Sequence, residues 1–244
     1  GALTVKAVRL DTAAAEPRHA YRLHHGDPRA TLGEMLGELV PEGACTAAVT
    51  GTGADGLPAH PSIAHADAVQ ATIVAVGWLL PGMRHIIDIG GAGLRYIRLD
   101  AAGRFAHFSA NSQCAAGTGS FLDEQATRLG LSHEIIASLG AVADPPPVAT
   151  RCAVFAKSDL IHLQQAGATV AEMWSGLCRG MAQTALQTLL RGKPLDGPTA
   201  LVGGVAQNRE VLRWLAALAA APVVTCAGAH VAAALGAALA APAA

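Results

Sequence analysis

The sequence predicts an α/β fold in which one plan is laid out twice. Two observations carry this. Short apolar runs that end on glycine alternate with longer stretches of helical periodicity. Hairpin-forming strands followed by helices occur in residues 1–80 and again in residues 85–244. The expected division near Pro81-Gly82 gives an amino-terminal unit of residues 1–82 and a carboxy-terminal unit of residues 83–244.

Each element has its own reason. Residues 4–11 alternate loosely as a strand, and 21–24 can pair with them as a hairpin. Residues 31–40 put Leu32, Met35, Leu36 and Leu39 on one helical face. Residues 45–50 form a short buried strand stopped by Gly51-Thr52-Gly53, and 64–80 a helix ended by Pro81-Gly82. Residues 85–89 make a strand running into Gly90-Gly91, with 96–99 as its hairpin partner. Helices follow at 119–129 and at 132–139, the second with Ser132 as N-cap. Pro145-Pro146-Pro147 must be a connector, because three successive residues lack a backbone donor. Helices at 154–166 and 170–190 lead to a buried strand at 199–202 closed by Gly203-Gly204. A helix at 208–219, a short strand at 223–225 and a helix at 231–240 complete the chain.

Composition excludes several classes of function. With 52% hydrophobic and 14% charged residues, the 244-residue chain can bury a substantial core. A net charge of −1 and no Lys/Arg-rich run argue against nucleic-acid binding. The apolar run 69–80 is about a dozen residues, nearer a buried helix than a membrane span. The alanine-rich stretch 230–244 suits a helix better than a bilayer. Leu3-Thr4-Val5-Lys6-Ala7-Val8 reads as a strand and not as a signal peptide. The chain opens without methionine, so a piece of a longer protein is expected. Five cysteines at 45, 114, 152, 178 and 226 include no CxxC pair, which fits a reducing cytoplasm better than a disulfide scaffold.

Three glycine turns at strand ends suggest a nucleotide cleft. Asp88-Ile89-Gly90-Gly91 closes a strand, where glycines let the backbone present N–H groups to a phosphate. Asp88 there can hold Mg²⁺ or orient a water; the plainer alternative is a hairpin turn with a capping Asp. Gly1-Ala2-Leu3-Thr4-Val5-Lys6 offers the Thr4 hydroxyl and the Lys6 charge, or else Lys6 is an exposed edge residue. Gly203-Gly204 enters a helix with Gln207 and Asn208 at its start, either as a phosphate or purine contact or as a plain turn capped by Asn208.

The cysteines carry the redox signal. Cys114 stands just before Gly117-Thr118-Gly119, and Cys152 lies 38 positions on in Arg151-Cys152-Ala153-Val154-Phe155-Ala156. A cysteine at a helix start is favoured as a thiolate. Two thiolates do not saturate a [4Fe–4S] cluster, whereas two copies of the chain supply four. The alternative is a pair of core cysteines. Cys45, Cys178 and Cys226 read as structural, and the ten histidines, His85 among them, as surface or capping residues.

At these residues the chain resembles the BadF/BadG/BcrA/BcrD ATPase family. Residues 114–123 resemble its most specific signature, and 151–156 its second cysteine segment. Residues 203–208 resemble its adenosine motif, and 235–239 its closing helix. The resemblance implies an actin/Hsp70/sugar-kinase type ATPase fold with two ribonuclease-H-like lobes and ATP with Mg²⁺ in the cleft. It implies a homodimer, or a pair with a paralogous domain, bridged by one [4Fe–4S] cluster on Cys114 and Cys152 of each copy. It further implies a ferredoxin or flavodoxin donor and a 2-hydroxyacyl-CoA dehydratase or benzoyl-CoA reductase as electron acceptor. Three departures stand out. The strand and Asp-x-Gly that open the first phosphate motif are absent before Gly1. Ala92-Gly93-Leu94-Arg95 follows where the family has Gln, Asp, a small hydroxyl residue and Lys. Asn111-Ser112-Gln113 precedes Cys114 where the family has Asn-Asp-Lys. Two other readings follow from these: a nucleotide-binding domain without turnover in a larger activator, and a sugar- or acetate-type kinase on the same fold.

Overall fold

The computed structural model describes residues 1–11, 16–40, 46–57, 63–111 and 117–241. The chain opens with an antiparallel pair, β1 (Thr4–Arg9) and β2 (Arg18–Leu23), with Thr4 opposite Leu23 and Arg9 opposite Arg18. Helix α1 (Pro28–Leu39) follows, its first turn satisfied by the Asp27 side chain accepting from the Ala30 amide. It buries Met35 and Leu39 against Ala7 in a small cluster of their own. Next come β3 (Ala47–Thr50) and β4 (Ile63–Ala66), a parallel pair, and α2 (Ala68–Leu79).

The expected helix at 64–80 is corrected here. Residues 64–66 belong to β4, and the helix starts only after Asp67, whose carboxylate accepts from the amides of Val69 and Gln70. The cap sets the boundary that apolar periodicity alone blurred.

The main sheet is built from β5 (His85–Ile89), β6 (Leu94–Leu99), β7 (Phe105–Asn111), β8 (Thr199–Val202) and β9 (Val223–Val224), in the order β7-β6-β5-β8-β9. The β5, β6 and β7 strands form an antiparallel meander, and β8 and β9 add in parallel on the far side of β5. Central β5 buries Ile86, Ile87 and Ile89 completely, as a strand covered on both faces must. Between β7 and β8 lie α3 (Gly119–Arg128), α4 (His133–Ser138), α5 (Ala153–Gln165) and α6 (Val170–Leu190). After β8 come α7 (Arg209–Ala219) and α8 (Ala232–Leu239). Helix α6 opens with a capping box between Thr169 and Glu172 and packs against α7, β6 and β7. The last helix, α8, returns to pack on α2, β1 and β3.

His85 corrects the expectation of a surface role. It is 1% exposed; Nδ1 lies 2.8 Å from the Tyr96 hydroxyl and Nε2 lies 2.7 Å from Asp196 Oδ1. No helix among the described residues is long and apolar enough to cross a membrane.

Candidate nucleotide and cysteine site

Parallel β5 and β8 end side by side, and each passes into glycine at the same edge of the sheet. That edge is where α/β sheets open a ligand crevice. Gly203 has φ +87°, and a Cβ there would lie 2.5 Å from both Asp88 Oδ1 and the Ile89 carbonyl oxygen. The glycine thus lets the two strand ends close to backbone contact. Gly119 is the next member: its amide donates to the Gly90 carbonyl at 2.9 Å, and the Ser120 amide donates to that of Gly91 at 3.0 Å. A Cβ on Gly119 would meet Val205 Cγ2 at 3.1 Å and Gly90 O at 3.3 Å. The Gly90-Gly91, Thr118-Gly119 and Gly203-Gly204 turns therefore meet in one place. Thr118 is fully buried at the start of α3.

The first strands reach the same place from the other side. Leu3 Cδ1 sits 2.9 Å from where a Gly91 Cβ would be, and the Tyr21 hydroxyl 2.9 Å from where a Gly204 Cβ would be. Lys6 Nζ donates to Thr4 Oγ1 at 2.6 Å and lies 5.2 Å from the Tyr21 ring centroid. Burial pushes the Lys6 pKa down; Asp88 opposes the shift and Arg95 adds to it. Burial pushes the Asp88 pKa up, against the pull of Arg95 and Lys6. Arg95 Nη1 is 3.6 Å from Asp88 Oδ2, across the hairpin from it. The crevice thus holds one buried carboxylate between two cations, ringed by glycine backbone.

The structure separates Gln207 and Asn208 from one another in role. Gln207 is exposed. Asn208 caps α7, its Oδ1 accepting from the amides of Glu210 at 3.0 Å and Val211 at 3.1 Å.

Cys114 lies outside the described residues, as does Cys45; Gly117, three positions after Cys114, is described. Gly117 has φ +93°, and its Cβ position is 3.8 Å from Thr184 Cγ2 on α6. The second cysteine segment reaches the same threonine. Residues 146–150 lie along α6 in a groove made by glycines one turn apart: a Cβ on Gly176 would be 2.3 Å from the Pro146 carbonyl oxygen, and one on Gly180 2.5 Å from that of Val148. Thr150 Oγ1 then meets Thr184 Oγ1 at 2.8 Å, and Arg151 Nη2 donates to Gln187 Oε1 at 2.7 Å. Cys152 follows as the N-cap of α5, half-buried, with no capping bond from its sulfur. Beside it Val154 is 66% and Phe155 64% exposed. Lys157 of α5 pairs with Glu124 of α3. Cys178 is buried, with its pKa pushed well up by loss of water, and Cys226 is half-buried and raised for the same reason. Among the described residues no three His, Cys, Asp or Glu side chains gather as a metal site.

Sequence reasoning missed Arg95, Tyr21 and Thr184. Arg95 was readable as a cation one hairpin rung from Asp88, whereas Thr184 carries no signal in an alanine-rich helix.

Comparison with known proteins agrees with this geometry. The chain is 36% identical over 163 residues to the activator of lactoyl-CoA dehydratase of Anaerotignum propionicum, covering 66% of this chain and 62% of that protein. It is 35% identical over 162 residues to the uncharacterized protein YjiL of Escherichia coli, covering 66% and 63%. The matched part thus spans about three-fifths of these relatives' own length. The solved activator of the 2-hydroxyisocaproyl-CoA dehydratase from Clostridium difficile, with bound ADPNP, superposes with a TM-score of 0.85 at 25% identity, covering 97% of this chain and 90% of that one. The fold is the actin/Hsp70/sugar-kinase type of ATPase fold. The profile of the BadF/BadG/BcrA/BcrD ATPase family matches residues 35–241, and the chain belongs to that family.

Proposed function

We propose that the chain binds ATP with Mg²⁺ in the glycine crevice and that Cys114 and Cys152 of two copies, or of a copy and a paralogous domain, hold one [4Fe–4S] cluster. Nucleotide turnover then drives a low-potential electron from a ferredoxin- or flavodoxin-type donor into an acyl-CoA dehydratase or reductase. The observation that supports this reading is that Gly117, three positions after Cys114, and Thr150, two before Cys152, both lie beside Thr184. Of the two donors, Cys152 fits the group: it is a half-buried thiol at a helix start, flanked by exposed Val154 and Phe155 on which a second subunit can close. When bound, the cluster supplies a one-electron store at low potential.

The crevice residues have separable roles. The Lys6 charge and the Thr4 hydroxyl beside it would meet phosphate oxygens, and the glycine turns leave room for the phosphates to approach; the Gly90, Gly119 and Gly203 amides are themselves engaged by the carbonyls of Gly93, Gly90 and Ala229. Asp88 holds the Mg²⁺ shell or the proton of the attacking water. Gln207, exposed at the rim, faces the nucleoside, while Asn208 fixes the turn by capping α7.

The test is iron and acid-labile sulfide per chain in anaerobically prepared protein, with ATP turnover on the same sample. About two irons per chain are expected, lost in both Cys114→Ala and Cys152→Ala. Iron-free protein, or iron retained in both variants, overturns the cluster. One observation favours a second reading, nucleotide binding without turnover. Ala92 and Gly93 offer no polar side chain beside Asp88, and Arg95 approaches its carboxylate instead. Bound nucleotide recovered unhydrolysed after long incubation would select it.

A further inference from the structure

The turn between β5 and β6 is almost bare. The Gly90 amide donates to the Gly93 carbonyl at 2.9 Å, so the hairpin closes over Gly90-Gly91-Ala92-Gly93, with one methyl as its only side chain. Arg95 is the first charged residue beyond the turn and pairs across the strands with Asp88. Residues opposite each other in an antiparallel pair share a face of the sheet. Arg95 and Asp88 therefore open onto the same crevice.

The two sides of the Asp88 carboxylate are approached differently. A Cβ on Gly203 would lie 2.5 Å from Oδ1, whereas Arg95 Nη1 lies 3.6 Å from Oδ2. β8 and β6 flank β5, so the Gly203-Gly204 turn and Arg95 stand on opposite sides of the carboxylate. Two strand spacings, roughly 10 Å, separate their strands. With a nucleoside over Gly203-Gly204 and Gln207, a phosphate chain running across Asp88 has its far end at Arg95.

Arg95 is also uncommitted. Arg9 bonds both Asp11 and the Leu39 carbonyl, and Arg213 bonds Glu210, Ser175 and the Val142 carbonyl. Arg95 donates no hydrogen bond to any described residue, and its one ion pair, at 3.6 Å, is beyond hydrogen-bond range. Its side chain is 37% exposed, with the donors of the guanidinium unspent. Lys6 and Arg95 are two cations acting on one carboxylate, so positive charge is in surplus there. Such a surplus calls for an anion, and the planar fork of an arginine matches the oxygens of a phosphate.

We propose that Arg95 is the specificity-determining residue for the terminal phosphate of a nucleoside triphosphate. It exchanges its loose contact with Asp88 for the third phosphate, whereas a diphosphate on the same path stops short of β6. The side chain of Arg95 thus tells the triphosphate from the diphosphate. This rests on the nucleotide reading of the crevice and adds to it the residue that senses the state of the nucleotide.

The test titrates ADPNP, a triphosphate analogue that resists hydrolysis, and ADP into the anaerobically prepared full chain in the presence of Mg²⁺. The unaltered chain, Arg95→Ala and Arg95→Lys are compared by calorimetry. Arg95→Ala is expected to weaken ADPNP about tenfold or more and ADP less than about threefold, with Arg95→Lys in between. Retained ADP binding shows that the variant is folded. A role confined to holding Asp88 would weaken both nucleotides alike. Equal weakening, or ADPNP bound as tightly as by the unaltered chain, overturns the proposal and leaves the nucleotide reading standing. If Arg95→Ala binds neither nucleotide, Arg95→Lys decides by the same comparison. Failure of the unaltered chain to bind either nucleotide overturns the proposal together with the reading of the crevice.

Discussion

Asp88 is held in the crevice at a cost to the fold. Its carboxylate is 16% exposed and faces Arg95 only at 3.6 Å, so burial outweighs the cations and its pKa rises. With a raised folded pKa, the unfolded state releases the proton more readily, and stability falls as pH climbs above the ordinary carboxylate range. Asp88→Asn should therefore stabilise the ligand-free protein at pH 7, by about 1 kcal/mol or more, seen as a higher melting temperature, while abolishing the ATP turnover proposed for the crevice. Thermal denaturation and phosphate release on the same preparation check both halves; a lower melting temperature would contradict the burial argument. Residue positions in the sequence were readable where a local signal fixes them, as for Asp88 at a strand end before two glycines. Roles were not readable where tertiary contact assigns them. Nothing local to His85 foretells Tyr96 and Asp196, which reach it from other segments.

At the scale of elements, glycine divides into two kinds. Gly236 of α8 crosses α2 so closely that a Cβ would lie 1.7 Å from the Ala71 carbonyl oxygen. Gly33 and Gly37 of α1 and Gly77 of α2 have nothing within 4 Å. Gly236→Ala should destabilise by roughly 2 kcal/mol or more, since the helices must separate. Gly33→Ala or Gly77→Ala should stabilise by about 0.5–1 kcal/mol through helix propensity. Chemical denaturation of the three variants decides it, and equal effects would show that packing at the crossing is not the cause. The elements most visible in the sequence were those with apolar period and a stop signal, such as β5 before Gly90-Gly91 and α6 between Thr169 and the glycine after Arg191. β7 was invisible for a physical reason. It is an edge strand whose residues are mostly exposed, so burial imposes no alternation on Phe105-Ala106-His107-Phe108. The β4 strand was absorbed into the following helix because Ala64 and Ala66 suit either state.

Across the whole molecule, His85 ties three segments of the main sheet's lower edge: β5, β6 through Tyr96, and the approach to β8 through Asp196. Its pKa is lowered, first by burial, with the Asp196 contact opposing. The unfolded chain takes up the proton near pH 6.5 and the folded one resists it. Stability should thus be level above about pH 6.5 and decline as pH falls below it. His85→Gln should lower stability at pH 7.5 and flatten the decline between about pH 6.5 and 5. Melting temperature against pH for the two proteins is the check, and parallel curves would assign the acid sensitivity elsewhere.

From Gly90 to Cys152 a short path runs through the fold: the Gly119 amide donates to the Gly90 carbonyl, Gly117 two residues earlier lies beside Thr184, Thr184 meets Thr150, and Cys152 is two residues further. Two of these links are hydrogen bonds, at 2.9 Å and 2.8 Å, so the spacing from strand end to thiol is set by directional contacts at both ends of the path.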